Sequence, residues 1–337
     1  MSATIKSVFL FICIIIIGVS SCKKHSGNNA GTKSDTLSTG WTKQTLSNLN
    51  LTAQGGDIAF TDQNTGYVSS GLYGGTATGG GIYKSTDGGA SWQPVAVVGA
   101  SNLAMTPDKT LFAVGYNDSV YRITDGSTTA VSSGLDLNHS VDVFFLNNQT
   151  GLCTTKRNLF LTTDEGNNWT NIHDLPDIDS SFGQNSVIAM SGSNAWIAYS
   201  RYILHSNGNN YSSWNLDSLP TTSTSLGIVG ISAPAPDIVY VISYSGYVYK
   251  STDGGNSFDF IYNADDVYNH DLSSDIHFVS ANIGYISVGN RIYKTTDGGN
   301  NWTIVVALGS TDFLEIYFTD ENHGWGITYD GSVVKLN

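Results

Sequence analysis

From residue 40 onward the chain alternates between short apolar runs and polar segments rich in Gly, Asn, Ser and Asp. Many runs alternate apolar and polar positions internally, as in IYKST at Ile82 and VYRIT at Val120. Period-two patterning with β-branched and aromatic residues predicts strands, and the intervening segments predict tight turns.

Two phrases recur. The first reads strand, polar turn, a Gly or Ala beside an aromatic or apolar residue, and a second strand. Its copies are IAFTDQNTGYVSSG at Ile58, VFFLNNQTGLCTT at Val143, IAMSGSNAWIAYS at Ile188, IHFVSANIGYISVG at Ile276 and IYFTDENHGWGITYDG at Ile316. The second is a dense turn: YKSTDGGASW from Tyr83, LTTDEGNNW from Leu161, YKSTDGGNSF from Tyr249 and YKTTDGGNNW from Tyr293. Two worn copies place Asp125 (YRITDGSTTAV) and Asn207 (LHSNGNNYSSW, with Trp214 displaced) in the same register. Aligned on Asp87, Asp125, Asp164, Asn207, Asp253 and Asp297, the spacings are 38, 39, 43, 46 and 44 residues.

Two hairpins per repeat make four strands, A to D, and a period of roughly 40–45 residues fits a propeller blade. Repeats begin near Asp57, Asn102, Val141, Asn185, Gly227, Asp275 and Phe313. The predicted fold is therefore all-β: a seven-bladed β-propeller of four-stranded antiparallel blades, with six or eight blades as the alternatives. The seventh repeat has strand C in GSVVKLN and no strand D. Gly40-Trp41-Thr42-Lys43-Gln44-Thr45 matches the strand-D phrases ASWQPV and NNWTIV, so the N-terminal strand is expected to complete the last blade and remove an open edge.

The turn itself, Ser/Thr-x-Asp-Gly-Gly-x-x-Trp, has a physical reading. The Asp accepts backbone N–H bonds, the glycines permit φ > 0, and the aromatic opens strand D and packs between sheets. Asp87, Asp125, Asp164, Asp253 and Asp297, with Trp92, Trp169, Phe258 and Trp302, are thus expected as one structural staple per blade. A calcium loop would alternate carboxylates, and a phosphate loop would open a helix with a Lys. This phrase resembles the Asp-box, or bacterial neuraminidase repeat, over most of the chain. With TGY, IGY and HGWGI it also resembles propellers of the photosystem II assembly factor type. That resemblance implies a binding or assembly role.

Sialidases share the repeat, but their chemistry needs an arginine triad and a Tyr–Glu pair. Of four arginines, Arg122 lies in YRIT of the second blade; of three glutamates, Glu165 is in a turn, Glu315 in a strand A and Glu321 in an A–B turn. A hydrolase or lyase alternative rests on Asp265, Asp266, Asp271 and Asp275 in the longest polar connection, flanked by His270 and His277. The remaining arginines, Arg157, Arg201 and Arg291, all fall at B–C turns, opposite the Asp turns, as a candidate anion rim.

Composition adds the setting. A net charge of −13 over 337 residues argues against nucleic acid as a partner. Residues 1–22 read as a signal peptide: Lys6, then VFLFICIIIIGV, then Val19-Ser20-Ser21-Cys22, which resembles the bacterial lipobox with Cys22 as the lipidated residue. Residues 23–39 read as a flexible tether and 40–337 as the propeller. With Cys13 in the signal and Cys22 lipidated, Cys153 stands alone and reads as a small buried hydrophobe. The expectation is a lipid-anchored cell-envelope module, on the outer membrane, binding a protein or glycan without cofactor or metal.

Overall fold

The structure is a computed structural model that describes residues 34–45, 56–70, 81–96, 99–115, 119–124, 127–130, 140–175, 186–206, 208, 211–220, 227–264 and 274–337. Cys22, Asp125, Asn207, Asp265, Asp266, His270 and Asp271 lie outside them.

The described residues form seven antiparallel sheets. Two strands, β1 (Thr36–Leu37) and β2 (Trp41–Thr45), come first. Blade one holds β3 (Ile58–Phe60), β4 (Gly66–Ser70), β5 (Gly81–Ser85) and β6 (Gln93–Ala96). Blade two holds β7 (Ala100–Met105), β8 (Leu111–Gly115), β9 (Val120–Thr124) and β10 (Ser127–Ala130). Blade three holds β11 (Ser140–Phe145), β12 (Gly151–Thr155), β13 (Asn158–Thr162) and β14 (Thr170–Asp174). Blade four holds β15 (Ser186–Ser191), β16 (Asn194–Tyr199), β17 (Tyr202–Ser206) and β18 (Trp214–Ser218). Blade five holds β19 (Ile228–Ala235), β20 (Ile238–Ser243), β21 (Tyr247–Ser251) and β22 (Asp259–Asn263). Blade six holds β23 (Ser274–Phe278), β24 (Gly284–Val288), β25 (Arg291–Thr295) and β26 (Thr303–Ala307). Blade seven holds β27 (Phe313–Asp320), β28 (His323–Thr328) and β29 (Ser332–Leu336), completed by β2.

The expected closure is present. β2 pairs with β29 from Trp41↔Leu336 to Thr45↔Ser332. Trp41 is buried and meets the Phe318 ring edge-on at 6.2 Å. The segment read as tether ends earlier than expected: β1 adds a fifth strand to blade six, with Thr36↔Ala307 and Leu37↔Val306. Asp35 accepts the Gly309 N–H at 2.8 Å and pairs with Lys43 at 3.2 Å. The chain thus crosses from the rim of blade six to the rim of blade seven before entering the ring.

Second strands are buried along their whole length in blades one, two, three and six because neighbouring sheets cover both faces. Outer strands β14 and β22 are mostly exposed. The apolar residues gather in seven clusters, each shared by two adjacent blades. Cys153 is fully buried in the cluster between blades two and three.

A repeated aromatic stack makes four of these junctions. Trp325 on Phe60, Phe112 on Phe145, Tyr240 on Phe278 and Tyr285 on Phe318 lie at 3.5, 4.1, 3.6 and 3.7 Å between ring centroids. Each joins a second strand to the first strand of the following blade. The glycine of the first phrase explains itself here: a Cβ on Gly284 or Gly324 would fall 2.5 or 2.1 Å from the ring of Phe278 or Phe318.

Candidate functional site: the repeated turns, the channel and the outer rim

In four turns the Ser or Thr two residues before the Asp is the buried pivot. Ser85, Thr162, Ser251 and Thr295 accept the N–H of Gly89, Gly166, Gly255 and Gly299 at 2.7–3.0 Å. The same hydroxyls donate to Asp87, Asp164, Asp253 and Asp297 at 2.8–2.9 Å. Each carboxylate also accepts the backbone N–H four residues ahead, of Ser91, Asn168, Ser257 or Asn301, at 2.8–2.9 Å. The side chains of those residues donate to the second oxygen at 2.6–2.7 Å. Hydrogen bonds from Asn168, Ser257 and Asn301 hold the Asp164, Asp253 and Asp297 carboxyls below the usual carboxylate range. Gly88 and Gly89 take φ of 70° and 91°; at the equivalent of Gly88, Glu165 takes 63°, a conformation that costs a non-glycine residue. Trp92 and Trp302 donate from Nε1 to Gly89 and Gly299 carbonyls at 3.1 Å, while Trp169 and Phe258 are buried in the blade junctions.

Each turn is also held from the preceding blade. An aromatic on the second strand pairs across with a cation on the third: Phe112↔Arg122, Tyr240↔Lys250, Tyr285↔Lys294 and Trp325↔Lys335. Trp325 and Trp196 donate from Nε1 to the Gly88 and Gly254 carbonyls at 2.9 and 2.8 Å. Tyr240 and Lys250 both donate to the Gly298 carbonyl at 3.1 Å. Arg122 lies over the Phe112 ring and donates to the Glu165 carbonyl and to Asn167. The arginine of YRIT is therefore a strut between blades two and three.

The first strands surround a central channel, a cavity of about 390 Å³. Asp57, Asn102, Asp142, Ser232, Asp275 and Glu315 line it. Asp275 is not on the acidic connection that the sequence suggested; it lies inside β23. Three carboxylates bridge blades. Asp57 accepts the N–H of Ile58 and of Leu103, both at 2.6 Å. Asp142 accepts those of Val143 and Ile188 at 2.8 and 2.7 Å. Asp275 accepts those of Ile276 and Ile316 at 2.7 and 3.0 Å. Asn102 and Ser232 make the same reach to Val143 and Phe278. Burial pushes the Asp57 carboxyl up to about 7 and that of Asp142 up to about 8. Burial, and then the neighbouring Asp275 carboxylate, hold the Glu315 carboxyl well above the usual range. His277, which lies on β23, also lines the channel, and burial lowers its pKa.

The sequence carries a signal for these bridges: a polar residue directly before the apolar run of the first phrase, in Asp57-Ile58, Asn102-Leu103, Asp142-Val143 and Asp275-Ile276.

The three rim arginines sit at B–C turns of blades three, four and six, and none lines the channel. The guanidinium of Arg201 lies over the ring of Tyr202, its own neighbour, at 5.3 Å. Arg157 and Arg201 offer backbone carbonyls to Leu175 and Leu219, which close their blades.

Fold and register define a seven-bladed β-propeller of four-stranded antiparallel blades closed by its own N-terminal strand. Among solved structures it is similar to YCF48 from Cyanidioschyzon merolae, with a TM-score of 0.67 and 18% identity over 88% of this chain and 98% of that one. It is also similar to YCF48 bound to D1 peptide, at 0.66 and 16% over 88% and 96%. A catalytically inactive virginiamycin B lyase from Staphylococcus aureus with quinupristin scores 0.64 at 15% identity over 88% and 98%. No family model and no curated protein matches the sequence.

Proposed function

We propose that the chain is a lipid-anchored, extracytoplasmic β-propeller of the bacterial cell envelope that binds or assembles a protein or glycan partner without catalysis. One observation carries this reading: three of the four channel carboxylates hold neighbouring blades together, each accepting two backbone N–H groups. Carboxylates engaged in this way serve the ring rather than a substrate. The turn aspartates are likewise Asp-box staples, and their oxygens are taken up by the turn. The similarity to a YCF48 structure whose ligand is a peptide supports a protein partner. The B–C face, with Arg157, Arg201 and Arg291, is the candidate surface for an acidic ligand.

Two experiments test it. Cys22→Ala should release the chain from membranes; sedimentation with membranes after a high-salt wash would remove the anchor from the reading. Arg→Ala at the three rim positions should leave stability within about 0.5 kcal/mol and weaken an acidic peptide in a salt-dependent manner. The enzyme alternative rests on Glu315 and Asp275, which line the channel together and of which Glu315 has a raised pKa. Envelope-glycan turnover abolished by Glu315→Gln would establish it and displace the binding reading.

A further inference from the structure

At the four described Asp turns, the contacts from the third strand of the preceding blade follow one rule, and one of the four junctions departs from it. In blade seven, Trp325 is paired with Lys335; Trp325 bonds the Gly88 carbonyl, and the Lys335 ammonium stands 2.6 Å from where a Gly88 Cβ would be. In blade five, Tyr240 is paired with Lys250, and both donate to Gly298. In blade two, Phe112 is paired with Arg122, which donates to Glu165. The position after the turn Asp thus receives an aromatic and a cation from the blade before it.

Blade four keeps the aromatic but has a histidine where blades two, five and seven have Lys or Arg. Trp196 donates to the Gly254 carbonyl, but its cross-strand partner is His205. The imidazole is shorter than a lysine stem and turns to its own sheet, where Nε2 meets Asp217 at 3.0 Å. Where an ammonium would lie, a cavity of about 580 Å³ opens between blades four and five. Its described walls include Asn194, His205, Pro236, Asp237, Asp253 and Gly254, and no lysine or arginine.

We propose that this cavity receives the ammonium of a lysine side chain from a partner protein, completing from outside the contact that Lys250 completes from within. A carbonyl oxygen has two lone pairs; Gly298 uses both, to Tyr240 and Lys250, whereas the contact to Gly254 comes from Trp196. Asp237, an exposed acidic residue, is among the wall residues, and its carbonyl accepts the Gly254 N–H at 3.0 Å. Asp253 is taken up by its own turn, so it contributes field rather than a metal-ligating oxygen. A compact charge on a flexible stem matches the internal examples, and a net charge of −13 favours a basic partner. This site lies on the turn face, away from the arginine rim, and stands independently of the function proposed above.

The test uses the full chain in detergent micelles with three probes: Nα-acetyl-lysine N-methylamide, its uncharged norleucine analogue and putrescine. The lysine probe should shift the backbone amides of Gly254 and Asn194 saturably, and the norleucine analogue should bind about tenfold more weakly. His205→Lys should fill the cavity from within and abolish the shifts. Asp237→Asn, an exposed change that keeps the fold, should weaken the lysine probe severalfold. Equal binding of the norleucine analogue, or undiminished binding in both variants, overturns the proposal. Tighter binding of putrescine than of the lysine probe overturns its assignment to a protein side chain.

Discussion

Gly324→Ala is the sharpest test of how the blades are packed. The new Cβ would lie 2.1 Å from Cδ1 and Cε1 of Phe318. Carbon atoms in contact rest at about 3.5–4.0 Å, so ring or strand must give way by about 1.4 Å. The ring cannot retreat, because its other neighbours hold it. Tyr285 stacks on it at 3.7 Å and 7°, and the Tyr285 hydroxyl is itself fixed to the Glu321 carbonyl at 2.9 Å. Overpacking of this kind costs roughly 1–3 kcal/mol. Gly324 does not have a positive φ. Without the clash, the substitution would stabilise by about 0.4–1 kcal/mol through the unfolded chain. The sign alone therefore discriminates. Urea denaturation of Gly324→Ala, Phe318→Leu and the double variant gives the coupling. The alanine should cost less than about 0.5 kcal/mol once the ring is gone. Equal penalties in both backgrounds, or a stabilised single variant, would refute the stacking argument.

Thr295→Val should lose roughly 1–3 kcal/mol, because the buried Gly299 N–H then has no acceptor and Asp297 loses a donor; the shift in denaturation midpoint checks it. Truncations should rank by what they remove. Deletion through Lys33 should leave the melting temperature unchanged, deletion through Ser38 should lower it by removing β1 and Asp35, and deletion through Thr45 should cause aggregation. Stability should fall as pH rises from about 4 to about 8. Burial raises Asp57 and Asp142 above their ordinary 3.8, so their protonated forms favour the fold, and that contribution is lost as pH passes through about 7 to 8. Asp142→Asn should flatten the melting curve against pH; an unchanged slope would count against a protonated channel.

The strands and the ring were legible because each blade repeats a local pattern. The hairpin at Gly284–Thr295 can be read from IGYISVGNRIYKTT, and the match of GWTKQT to NNWTIV located the clasp. What escaped the sequence depends on residues some 40 positions apart that meet only when blades stand side by side. Asp275 resembles the polar connection before it, and only the ring shows its second oxygen reaching Ile316 in the next blade. Arg122 could be placed in the third strand of blade two, but its partner, the Glu165 carbonyl, belongs to the neighbouring turn. β1 was missed because two residues carry no period. The rim arginines could be placed at B–C turns from pattern alone, but the direction of a side chain on a curved ring is not a property of local sequence.

The pairing of β2 with β29 also sets a clock. Blades one to six can form in order from neighbouring hairpins as the chain emerges, whether from a ribosome or N-terminus first across a membrane. Trp41 must wait for Leu336. At about 5–20 residues per second that wait is on the order of 15–60 s. For all of it, β2 is an unpaired strand next to unfinished sheets. A chain that stalls before residue 332 leaves β2 without its partner strand, so closure works as a check that translation has run to β29. The same delay makes the clasp the point at which a neighbouring copy could donate its own β2, so exchanged dimers should appear first when synthesis is crowded.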